Sequence, residues 1–122
     1  MAADDEMLHC AHASRYHWGE VGTPANVARG EWQCARVYAV LGRPEPALHH
    51  ARRCLEICES APDALEPFDL PFAYEALARA YAVAGDAVTS ERFVALAQEA
   101  ARAIEDEDDL ALLQADLETI RT

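Results

Sequence analysis

No run in this 122-residue chain approaches the ~20 consecutive apolar residues that a bilayer-spanning helix requires. Strand signals are just as scarce. No alternating run rich in β-branched residues is bounded by turns, so a sheet is not expected. Cys10, Cys34, Cys54 and Cys58 include no Cys-x-x-Cys pair, the local spacing of zinc ribbons and redox sites. There is no Gly-rich phosphate loop, no Gly-x-Ser-x-Gly and no dinucleotide fingerprint. Carboxylates are plentiful but lie in surface runs with no evident cleft partner, so acid–base roles find no footing. An enzyme is not expected, nor a cofactor. Lysine is absent and all ten basic residues are arginine, which by itself carries no mechanism. The opening stretch, residues 1–6, is acidic and lacks the basic start of a signal peptide, so a cytoplasmic protein is expected.

The formal net charge is −12 and unevenly spread. Residues 31–60 balance four arginines against four glutamates, whereas residues 61–122 carry fourteen acids against four arginines. That field repels phosphate backbones, so nucleic acid and anionic membrane are disfavoured as partners.

Helix punctuation is abundant. Thr23-Pro24 reads as an N-cap followed by proline at the first helical position, where a missing N–H costs nothing. The helix that follows stops at Gly42, and Pro44 opens the next, with Ala47, Leu48, Ala51, Cys54, Leu55 and Cys58 on its inner face at the 3.6 period. Residues 59–71 hold three prolines and form the longest break, a loop with a short turn. Asp69 is expected to cap a helix that stops at Gly85. Asp86 caps another to about Ile104, and Asp106 or Asp108 starts a last one with acids at its favoured end. A helix from about Asp4 to Gly19 completes an all-α reading of six helices. The Gly-Arg-Pro and Gly-Asp connections are short enough to force antiparallel neighbours.

One helix-ending phrase occurs twice. Ala35-Arg36-Val37-Tyr38-Ala39-Val40-Leu41-Gly42 returns as Ala78-Arg79-Ala80-Tyr81-Ala82-Val83-Ala84-Gly85, and Tyr38 and Tyr81 lie 43 positions apart. A fixed period of this order points to stacked helical hairpins.

The two central hairpins, about 28–60 and 71–104, resemble tetratricopeptide repeats. Ala35, Tyr38, Gly42, Ala47 and Leu55 match the small, aromatic, glycine, alanine and leucine positions of that consensus. Tyr74, Leu77, Ala78, Tyr81, Gly85, Asp86 and Ala97 match in the second copy. The period exceeds the usual ~34, with the excess in the proline-rich loop. The resemblance implies one domain over residues 1–122, a short right-handed stack of antiparallel hairpins, with the helices at about 4–19 and 107–121 as capping helices.

It also implies a concave groove lined by the first helix of each hairpin, which places Arg29, Trp32, Arg36 and Val40 beside Phe72, Glu75, Arg79 and Val83. Bare helical spacing puts 29, 32, 36 and 40 on one face as well. Trp and Arg are enriched at binding hot spots, and a strip of three arginines would suit a carboxylate or an acidic peptide. The bland alternative is that Trp32 is core and the arginines pair with acids such as Glu31 and Glu75. The expected function is therefore a protein–protein adaptor holding a peptide or helix of a partner. A second reading is a self-associating homodimer that covers the apolar ends of a short stack.

A third reading is a metal site. His9 and His12 share a face of the first helix, and His50, Cys54 and Cys58 line up at i, i+4 and i+8 on the third. Against it, Cys54 and Cys58 coincide with an apolar stripe, where buried free cysteine behaves as a small hydrophobe.

Overall fold

The computed structural model describes residues 23–120, and among them are five α-helices and no strand. They are α1 (Pro24–Val40), α2 (Pro44–Ser60), α3 (Asp69–Val83), α4 (Ala87–Ala100) and α5 (Glu107–Glu118). Short 3₁₀ turns at Pro62–Ala64 and Ala101–Ala103 fill the connections before α3 and α5. The helix expected over 4–19 lies outside the described residues. No described helix is long and apolar enough to cross a membrane.

The twice-used phrase has a local cause. Gly42 (φ 71°) and Gly85 (φ 83°) hold the left-handed conformation that glycine adopts at little cost. Each closes its helix in the same Schellman pattern. The Gly42 N–H donates to the Ala39 carbonyl (3.0 Å) and the Arg43 N–H to the Tyr38 carbonyl (2.9 Å). The Gly85 N–H donates to Ala82 (3.1 Å) and the Asp86 N–H to Tyr81 (2.9 Å). Starts are set as locally as stops. Thr23 Oγ1 accepts the Asn26 N–H (3.3 Å), Asp86 the Thr89 N–H (3.1 Å) and Asp106 the Asp109 N–H (2.9 Å).

Asp69 departs from the sequence reading. It is the first residue of α3 rather than its cap, which is Phe68, and its carboxylate accepts the Glu66 N–H at 2.8 Å. Its other partner comes from α1, a contact that local sequence cannot supply.

Helix α1 packs along α2, α3 packs along α4, and α3 also contacts α1, α2 and α5. The shared core is built on alanine: Ala35, Ala39, Ala47, Ala51, Ala76 and Ala80, with Leu77, are buried. Side chains this small bring backbones close, and large rings close the gaps beside them. Tyr38 stacks on His50 (5.6 Å between centroids, 4° between planes), and Tyr81 stacks on Phe93 (5.7 Å, 5°). Ser90, fully buried, returns its hydroxyl to the Ala78 carbonyl at 2.7 Å, so the polar atom is satisfied. A second cluster, Ala97, Ala101, Ile104, Leu113 and Leu117 with Phe68 and Phe72, holds α5. Each of its two buried leucines is worth roughly 1.5–3 kcal/mol.

Candidate functional site

Helices α1, α3 and α5, with Cys54 of α2, border a cleft of about 560 Å³. Its volume falls in the range of small-molecule pockets, roughly 300–1,000 Å³. Trp32 and Phe72 form one wall, ring edge against ring face at 5.8 Å and 85°. Phe68 adds a second aromatic, 6.5 Å from Phe72. Leu112 projects from α5 with 58% of its surface exposed and closes the opposite side.

The polar groups around this apolar centre are mostly tied to one another. Arg29 makes a bidentate pair with Asp69, Nε to Oδ1 and Nη2 to Oδ2, both at 2.9 Å. The hydrogen bond to Asp69 raises the Arg29 pKa further, against desolvation. Its guanidinium also lies 5.0 Å from the centre of the Phe68 ring. Trp32 Nε1 donates to Glu75 Oε1 at 2.9 Å, and Arg79 Nε donates to Glu75 Oε2 at 2.9 Å. Glu75 is wholly buried, so these bonds replace the water its carboxylate has lost. Arg79 continues to α5, where Nη2 reaches the Asp116 carbonyl (2.8 Å) and Thr119 Oγ1 (2.7 Å). One buried carboxylate therefore joins α1, α3 and, through Arg79, α5.

Arg36 is held more loosely. Its Nη1 lies 3.6 Å from Asp116 Oδ2 and 3.8 Å from Glu75 Oε2, within ion-pair reach but beyond hydrogen-bond distance. That nitrogen is buried with no hydrogen-bond partner, and so is Gln33 Oε1. Both residues line the cleft, one turn apart on α1. One offers an unused donor and the other an unused acceptor.

Of the eight residues expected in a groove, Arg29, Trp32, Arg36 and Phe72 line the cleft. Glu75 and Arg79 form the network that ties its helices together. The three arginines are not a free positive strip, because Asp69, Glu75 and Asp116 stand against them. Val40 is exposed and lies with Val83 on a separate, smaller depression. Glu31 pairs with His50, Nδ1 to Oε2 at 2.7 Å, rather than with a groove arginine.

Sequence reasoning missed the contribution of α5. Asp109, Leu112 and Asp116 all line the cleft, and their i, i+3, i+7 spacing was the available signal. Reading the helix only as a cap concealed it.

Among the described residues, no group of three or more His, Cys, Asp and Glu side chains is arranged to hold a metal ion. His9 and His12 lie outside those residues. His50 is engaged by Glu31 and Tyr38, while Cys54 and Cys58 are buried beside Ala28 and Ala73. The two thiols interact with each other. The hydrogen bond with Cys58, aided by burial, pushes the Cys54 thiol well up, and the same bond brings Cys58 down. Cys34, Cys54 and Cys58 are all buried.

Comparison with family models, curated proteins and solved structures gives no significant match.

Proposed function

We propose that this chain is a tetratricopeptide-like binding module that holds a peptide or a short helix of a partner protein in the cleft between α1, α3 and α5. The observation that carries the reading is the cleft itself. Trp32, Phe72 and Leu112 present an apolar centre with room for side chains of a bound segment. Supporting the repeat reading are the two matching Schellman closures and the two matching ring stacks, Tyr38 on His50 and Tyr81 on Phe93, each displaced by 43 residues. In a right-handed stack of hairpins, the first helices face one groove; α1 and α3 are those helices, and α5 borders the same cleft. The arginine-based preference for an acidic ligand is not carried forward, because Asp69, Glu75 and Asp116 already stand against the three guanidiniums.

The test places a photo-crosslinking phenylalanine derivative at Leu112, in the cleft, or at Val88, which is 73% exposed on α4 and away from the cleft. In cells that express the protein, irradiation should give a discrete adduct with another polypeptide from position 112 and none from 88. An adduct with a second copy of the chain would favour the homodimer instead. Equal labelling from both positions would remove the cleft as the binding surface.

A further inference from the structure

The charge around the cleft says which kind of segment it takes. With Arg29 committed to Asp69, and Arg36 facing Asp116 and Glu75, the guanidiniums are neutralised from within. The lining carries Asp69, Asp109 and Asp116 against Arg29 and Arg36, which leaves a carboxylate in excess. Among the described residues no guanidinium pairs with Asp109, and the acids around it are Asp106, Asp108 and Glu66. Burial and those neighbours together lift its carboxyl above the ordinary range. The negative side of the cleft adjoins exposed Leu112, one turn along α5.

From this charge complementarity we infer that the occupant is a basic amphipathic segment, with an apolar side chain between Trp32, Phe72 and Leu112 and an Arg or Lys against Asp109. The inference rests on the binding-module reading and specifies its partner. The formal charge of −12 steers a cation toward the molecule, and the apolar walls select where it settles.

The experiment uses the full chain and three labelled helical peptides of about five turns each. They share one Leu/Phe face, while the opposite face carries Lys, Gln or Glu. Fluorescence anisotropy should rank them Lys, then Gln, then Glu, with the Lys advantage shrinking at about 0.5 M salt. Asp109→Asn should weaken the Lys peptide about threefold and leave the Gln peptide unchanged, as an exposed ion pair predicts. Leu112→Ser should weaken all three about fivefold. Glu91→Gln removes the same charge from the exposed face of α4 and should weaken none of them.

Equal losses from Asp109→Asn and Glu91→Gln would mean diffuse attraction and would overturn the inference. Binding of the Gln or Glu peptide as tightly as the Lys peptide, still sensitive to Leu112→Ser, would overturn the charge preference and keep the cleft. Insensitivity of every peptide to Leu112→Ser would remove the cleft reading itself. Self-association of the chain that Leu112→Ser abolishes and that keeps every peptide from binding would put a second copy in the cleft and also overturn the inference.

Discussion

Replacing Glu75 by alanine tests whether the buried carboxylate fastens α1 to α3. The side chain is wholly buried and accepts from Trp32 Nε1 and Arg79 Nε, each at 2.9 Å. A hydrogen bond to a charged group contributes about 1.5–3 kcal/mol. Removing one partner of a buried ion pair costs more than the bond itself, about 3–5 kcal/mol, because the survivor keeps its charge without compensation. Arg79 still reaches Asp116 and Thr119, which offsets part of that, so we expect a loss of ~3 kcal/mol. For a domain of this size the melting temperature should fall by about 10 °C or more. Urea unfolding followed by circular dichroism measures the loss. It should be accompanied by Arg79→Leu and by the Glu75→Ala/Arg79→Leu double variant. If the pair acts as a unit, the double variant loses far less than the two single variants together. A loss under about 1 kcal/mol for Glu75→Ala, or strict additivity in the cycle, would refute the reasoning.

Two further outcomes follow from the same geometry. Gly42→Ala and Gly85→Ala place a Cβ in open space but keep φ at 71° and 83°, so each should cost about 1 kcal/mol from backbone strain alone. Differential scanning calorimetry should find the two losses alike, and asparagine should be milder at either site. The pH dependence should differ between two caps-region acids. The hydrogen bonds from Thr89 hold the Asp86 carboxyl below its ordinary value. Its stabilisation is therefore complete above that value and is lost as pH falls through the lower native one. Asp109 runs the other way. Its raised carboxyl binds protons more readily when folded, so stability declines as pH rises through it. Asp109→Asn should leave the urea midpoint at neutral pH unchanged or higher, whereas Asp86→Asn should flatten the acid limb of the stability curve.

What the sequence determined by itself is local. Helix identity, the stops at Gly42 and Gly85, the caps at Thr23 and Asp86, and the prolines that open α1 and α2 were all legible, and the last cap was narrowed to Asp106 or Asp108. Each is settled within about one helical turn, by φ preference or by a side chain reaching a nearby N–H. The face bearing Arg29, Trp32 and Arg36 was legible for the same reason, since period alone fixes which residues share a side. Only the tertiary structure decided what that face meets. The Arg29–Asp69 pair spans 40 residues and the Trp32–Glu75 bond spans 43, and no local rule says which carboxylate will stand opposite which guanidinium. Asp69 reads as a cap until α1 packs beside it. Helix α5 reads as a cover until Leu113 and Leu117 turn inward and leave Asp109, Leu112 and Asp116 along the cleft. Charge, unlike backbone conformation, acts between elements brought together by packing, so the sign of the cleft emerged only once the helices were in place.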